Sequence, residues 1–261
     1  MYVKSIIIYP IKGCKGIEVD SCVALERGFE NDRRYMLVDR NNKFVSQRSH
    51  PQLALITIKI VNEHIEVVYN QSSFSFDMSA QMDQVIDIAL FDNTVQGTIV
   101  SEEVNDQFTS MLGDQMRLVK MTTEDMRHKK LIKGPDQTEV SFADGYPYLI
   151  AGTESLNQLN SKLDAPVMMD RFRPNIIIET DVPHIEDSWE SVKIGSVDMM
   201  VIKPCARCPV VTIDQQTSEK SKHTLKVLSS YRKKDNMVYF GANVIQLKAG
   251  TIQKGDKVVV L

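Results

Sequence analysis

Apolar positions in the first hundred residues fall in short alternating or continuous runs. They lie at residues 3–9, 35–38, 53–60, 65–69 and 85–90, each about the length of one strand. Asp39-Arg40-Asn41-Asn42, Val61-Asn62-Glu63 and Phe91-Asp92-Asn93 separate them with turn-forming residues. Strands at this spacing predict a small barrel or sandwich. The pattern then changes over residues 101–111, where Ser101 offers an N-cap and Val104, Phe108 and Met111 share one helical face.

Residues 122–137 form the most polar stretch, read as a linker or mobile loop, since a charged run is ordinarily solvated surface. Beyond it a strand is expected at 148–151, then a helix capped by Thr153 and carrying Leu156, Leu159 and Leu163. Further strands are expected at 176–178, 193–194, 199–202, 210–213, 238–240, 244–247 and 257–261, with a helix over 224–231. Trp189, the only tryptophan, is assigned to the core. The whole reads as mostly β with some α, a barrel-like part over 1–120 and a strand-dominated part over 121–261.

Composition narrows the function. Hydrophobic residues at 43% and charged residues at 25% match an ordinary globular protein, and a net charge of −3 argues against a nucleic-acid binder. No run approaches the ~20 apolar residues of a membrane span. Pro10 and Lys12 end the first apolar run too early for a signal peptide, so a first strand is expected there. Four cysteines are too few for a disulfide scaffold, which places the chain in a reducing cytoplasm with free thiols.

Two of those cysteines stand in Cys205-Ala206-Arg207-Cys208, between Pro204 and Pro209. A buried cysteine often serves as a small hydrophobe, but two at this spacing point to a functional site. Structural zinc needs a second pair, and Cys14 and Cys22 are too far apart to form one. Cysteine-held iron–sulfur clusters need four ligands at a spacing this chain lacks. A redox dithiol would sit at a helix start, whereas residues 209–213 read as extended chain. That reading is weakened and stays open beside a single thiolate ligating a metal whose other ligands belong to a bound cofactor.

A phosphate-bearing cofactor would find a matching set of residues. Tyr9-Pro10-Ile11-Lys12-Gly13-Cys14-Lys15-Gly16 offers lysines and glycines in a tight loop after the first strand. Arg33, Arg34 and Arg48 stand beside strands, and Arg171-Phe172-Arg173-Pro174-Asn175 precedes another. Guanidinium forks bind phosphate bidentately. A lone arginine is ordinarily surface charge; their joint presence with the cysteine pair carries the argument.

These segments, with Asp32-Arg33 and Asp187-Ser188-Trp189, resemble the landmarks of the MOSC family. The resemblance is nearest to the branch with an N-terminal MOSC β-barrel domain, which includes the amidoxime-reducing components. It covers essentially the whole chain and implies an N-terminal barrel followed by a MOSC β-barrel with peripheral helices. It implies a molybdenum cofactor between the two parts, with Cys208 as metal ligand. Lys12, Gly13, Arg33, Arg48, Arg171, Arg173 and Asn175 are the expected cofactor-binding residues. Gly13 stands where relatives often have Ser, so one contact there would come from backbone. Asp144 is expected near the metal as a proton relay, and Arg207 as a neighbour tuning its charge. The implied activity is reduction of small N-hydroxylated compounds such as hydroxylamines and amidoximes. With no iron–sulfur cluster in the chain, electrons are expected from a separate ferredoxin- or flavin-type reductase. The alternative is a carrier that holds molybdenum cofactor, or sulfur on Cys205, without turnover.

Overall fold

The computed structural model describes residues 1–91, 93–122 and 127–261. The chain opens with β1 (Tyr2–Ile8), β2 (Ile17–Val19), β3 (Ser21–Leu25), β4 (Gly28–Phe29) and β5 (Tyr35–Asp39). After a 3-10 turn over Pro51–Leu55 follow β6 (Thr57–Val61), β7 (His64–Tyr69), β8 (Ser72–Asp77), β9 (Val85–Leu90) and β10 (Asn93–Ile99). Helix α1 (Glu102–Leu112) leads to β11 (Met116–Met121), then the hairpin of β12 (His128–Lys130) and β13 (Gln137–Glu139). The second half runs β14 (Tyr148–Gly152), α2 (Thr153–Asn160), β15 (Ile176–Glu179), β16 (Ser191–Ile194) and β17 (Val197–Ala206). It closes with α3 (His223–Arg232), β18 (Lys233–Lys234), β19 (Met237–Gln246), β20 (Gly250–Gln253) and β21 (Val258–Val260).

The largest sheet has the order β2-β1-β15-β14-β19-β17-β16-β21, with β18 paired to β19. Strands from both ends of the chain share it: Ile6 stands opposite Ile176, which lies beside Ile150 on the parallel neighbour β14. In a separate small sheet β3 pairs with β20. Alternating apolar residues of the large sheet, Ile6, Ile150, Ile176 and Val244 among them, share one core with Trp189, which follows a 3-10 turn before β16. Burying an aromatic the size of Trp189 stabilises the fold by on the order of 2–3 kcal/mol. A second core joins Ile11, Tyr35, Leu53 and Phe108 across the first half, where β5-β11-β10-β9 and β6-β7-β8 form two further sheets. The protein is mostly β with peripheral helices.

Ser101 caps α1, its Oγ accepting from Val104 N at 3.2 Å, and Gly113 ends the helix at φ +77°. Elsewhere the structure corrects the sequence reading. Pro51 starts a 3-10 turn, so the run expected over 53–60 yields a strand only from Thr57. Of the strand expected over 210–213 only Ile213 is extended, bridging to Lys220: Pro209–Thr212 is a single 3-10 turn with Cys208 at its N-cap. Gly152, not Thr153, caps α2; the Thr153 hydroxyl instead accepts from Thr180 N at 3.2 Å. The two strands expected near 240 are one, β19, bent at Gly241 (φ +73°), where a Cβ would lie 2.6 Å from the Ile150 carbonyl oxygen. The polar stretch 122–137 supplies a paired hairpin rather than a linker; its residues 123–126, like Asp92 of the turn after Phe91, lie outside the described residues.

Candidate functional site

A cavity of about 420 Å³ opens between the loop after β1, the segment before β14, the end of β17 and Asn243 within β19. The loop contributes less backbone than its glycines suggest. Lys12 N donates to Tyr35 O (2.8 Å), Cys14 N to Ile11 O (3.2 Å) and Lys15 N to Ile56 O (3.0 Å). Gly16 serves packing, since a Cβ there would come within 2.6 Å of Ile7 and Tyr9. Gly13 (φ +93°) lines the cavity, and its carbonyl accepts from Gln47 Nε2 at 2.7 Å. The loop's main gift is therefore a side chain, Lys12.

Lys12 is 6% exposed; its Nζ donates to Phe142 O at 2.7 Å and pairs with Asp144. Burial lowers the lysine pKa, and the carboxylate opposes that shift. Asp144 reaches into the cavity with its side chain 66% accessible from within. Enclosure would raise its pKa, but the charge and hydrogen bond of Lys12, with Arg33 and Arg173 behind, hold it down at about 2.

Beneath this pair lies a guanidinium floor. Arg33 and Arg173 both adopt left-handed backbone, at φ +52° and +53°. Such strain costs about 1–2 kcal/mol per residue and persists where surroundings over-determine it. Both guanidinium carbons stand over the Tyr9 ring, at 4.5 and 4.2 Å from its centroid. Asp32, fully buried, accepts from Arg33 Nη1 at 2.6 Å and from Tyr9 N at 2.8 Å. Arg33 also donates to Asn175 Oδ1 (3.2 Å) and Arg173 O (3.3 Å), while Arg173 Nη1 donates to Cys14 O (2.8 Å). Burial pushes the Tyr9 hydroxyl up to about 12 despite the two arginines, so it stays neutral and donates to Pro174 O.

At the rim stand Cys205 and Cys208. A register shift between Pro204 and Ala206 bends the end of β17, and Arg207 N then donates to Val238 O at 2.7 Å. All four cysteines of the chain are unpaired. Arg207 turns back to donate from Nη1 to Cys205 Sγ at 3.0 Å and from Nη2 to Phe172 O at 2.8 Å. Its buried Nε has no partner among the described residues.

Of the residues singled out from sequence, Lys12, Gly13, Arg33, Arg48, Asp144, Arg173, Asn175, Arg207 and Cys208 all line this cavity. Arg171 does not; its Nη2 pairs with Asp214 at 2.5 Å outside the cavity. Arg34 is spent on the carbonyls of Arg27, Phe29 and Asp32. Phe91, Lys129, Tyr146 and Lys203 are among the lining residues that the sequence reading did not assign to the site. Phe91 packs on Phe44 with ring centroids 4.7 Å apart, and Arg48 and Lys12 lie within 6 Å of both rings. Its left-handed φ of +56°, unusual for an aromatic, belongs to the turn the sequence did reveal. Among the described residues seven cationic side chains line the cavity against one carboxylate.

Both halves of this architecture match known domains, residues 1–115 the MOSC N-terminal beta barrel domain and residues 137–259 the MOSC domain. The chain belongs to the MOSC-domain family that carries the N-terminal barrel. It is 31% identical to mitochondrial amidoxime reducing component 2 of Rattus norvegicus, over 98% of this chain and 82% of that one. It is 30% identical to mitochondrial amidoxime-reducing component 1 of Homo sapiens, over 97% and 81%. A molybdenum cofactor sulfurase of Drosophila mojavensis is 26% identical over 94% of this chain but only 32% of its own length.

Proposed function

We propose that the protein reduces N-hydroxylated compounds with a molybdenum cofactor, using electrons from a separate donor protein. The observation that carries this is a cysteine thiol, Cys208, at the rim of a cavity that the described residues line with seven cations and one carboxylate. The cavity fits an anionic, metal-bearing cofactor on two further grounds. No three His, Cys, Asp or Glu side chains gather into a metal site among the described residues, so a metal here would take most of its ligands from the cofactor. The Arg207 Nε is a buried donor that lacks an acceptor among the described residues.

Cys208 would be the protein's ligand, with Lys12, Arg33, Arg48, Arg173, Asn175 and the Gly13 backbone holding the pterin and phosphate. When bound, such a cofactor supplies the redox chemistry that takes oxygen from an N–OH group. The net change consumes two electrons and two protons and releases water. Lys12 and Asp144 form the proton-handling pair beside this position: the lysine charge holds the carboxylate ionised, while burial lowers the lysine pKa and makes its ammonium readier to give up a proton. Arg207 fixes the segment between the cysteines and keeps positive charge beside Cys205. Arg171 is a positioning residue, tying the turn at Asp214 to the strand that follows Arg173. The free thiols suit a reducing compartment such as the cytoplasm. No described helix is long and apolar enough to cross a membrane.

Molybdenum analysis of protein made in a cofactor-producing host, beside Cys208→Ser, tests this reading. Near-stoichiometric metal in the parent, lost in the variant, together with dye-driven reduction of benzamidoxime, supports it; a metal-free parent overturns it. Metal without reduction of any N-hydroxylated compound would favour a cofactor or sulfur carrier, the reading to which the Cys205–Arg207 contact and the sulfurase likeness lend weight.

A further inference from the structure

The cavity's positive charges are not equivalent. Lys12, Arg33, Arg173 and Arg207 each donate to protein acceptors, which fixes them whether or not anything is bound. The side chains of Lys129 and Lys203 make no hydrogen bond or ion pair among the described residues, yet two unrelated elements bring them to one ring. Their Nζ atoms stand 5.3 and 5.6 Å from the centroid of Tyr146, itself 7% exposed against Ile202 and Ile245. Lys129 arrives on the β12–β13 hairpin. Lys203 arrives by an irregularity: the register between β17 and β19 shifts between Val201 and Lys203. Val201 and Ile202 are consequently both buried, and Lys203 turns toward the cavity instead of following the alternation. A fold does not gain from gathering like charges; burial, then Arg127 and Lys203, already lower the Lys129 pKa. Arg127 itself is committed, bracing the Asp144 segment through the carbonyls of Ser141, Ala143 and Asp144.

We propose that Lys129 and Lys203, set over Tyr146, form a subsite for a carboxylate or phosphate carried by the N-hydroxylated substrate. The inference rests on the reductase reading and adds a substrate class to it: compounds with an N–OH group at one end and an anion at the other. The aromatic face beneath the two ammonium groups lets the flat body of such a substrate lie against Tyr146 while its anion bridges the lysines.

The test compares benzamidoxime with 4-carboxybenzamidoxime, with rates normalised to molybdenum content. The parent should prefer the carboxylate, and the double variant Lys129→Gln with Lys203→Gln should cut the ratio of the two kcat/KM values about tenfold, chiefly through KM. The preference should also shrink as salt is raised. A ratio unchanged by the double variant overturns the subsite. So does a parallel loss on both compounds accompanied by lost molybdenum, which would assign the lysines to the cofactor. Calorimetry with benzoate on the holoprotein separates the two readings. If neither amidoxime is reduced but benzoate binds in a lysine-dependent way, the reductase reading fails and the anion subsite stands. Benzoate binding indifferent to both lysines removes the subsite alone.

Discussion

The floor and the mouth of the cavity hold the same kind of charge in opposite ways. At the floor, Arg33 and Arg173 are clamped over Tyr9, with Asp32 buried behind them and their donors committed to Asn175 and to backbone carbonyls. At the mouth, Lys129 and Lys203 lie over Tyr146 with no such commitments. A buried charge tolerates no change of partner, because an abandoned one is left unsolvated. A charge at the mouth keeps most of its water and can follow what arrives. The floor therefore suits a group that stays, and the mouth one that comes and goes.

The strongest way to break this contrast is Asp32→Ala. It strands a buried guanidinium and one backbone amide, and should cost about 3–5 kcal/mol in urea denaturation. A loss below about 1 kcal/mol, in the range of an exposed pair, would show that the floor is as adaptable as the mouth. Arg33→Lys keeps the charge but loses the fork that reaches Asn175 and Arg173 O, and should destabilise by about 1–3 kcal/mol. The same method reads it.

Asp144 stands between the two regimes, and pH exposes it. Its folded pKa, about 2, lies below the ordinary 3.8, so its contribution is present above pH 4 and is lost as pH falls toward 2. Stability of the parent should therefore drop more steeply over that window than stability of Asp144→Asn, when both are measured by thermal melting at fixed ionic strength. Parallel slopes would mean the Lys12 pair does not form in solution. At the mouth, Lys203→Gln should shift stability by less than about 0.5 kcal/mol. A large loss there would turn the subsite lysine into a structural one.

How much of this was legible in sequence depended on what each residue is for. Strands with plain alternation, such as β7 and β9, and the Ser101-capped helix could be read directly, because their periodicity reports burial. The strand β8, Ser72–Asp77, was missed because serines occupy its outward positions and dilute the pattern. Pro51 turned the start of one expected strand, and Pro209 most of another, into 3-10 turns. Most floor residues could be named because arginines flanking strands are conspicuous. Arg171 could not be told from Arg173 by sequence, since two positions along a 3-10 turn decide which of them meets Asp214 and which meets Tyr9. The mouth was invisible for a similar reason. Lys129 lay in a stretch that read as solvated charge, and a register shift is what turns Lys203 inward.

That the largest sheet draws strands from both ends of the chain has a consequence for its birth on the ribosome. β1 cannot find β15 (Ile176–Glu179) until well past the middle of the 261-residue chain has emerged, and β3 cannot find β20 (Gly250–Gln253) until nearly all of it has. Ile6 and Ile8 must wait exposed through most of synthesis, in a topology whose long-range pairings make folding slow. The cavity floor, which hangs Arg33 and Tyr9 from the early strands and Arg173 and Asn175 from the late ones, is thus assembled only late. Until β15 is in place, the early strands hold only Arg33 and Tyr9, half of that floor.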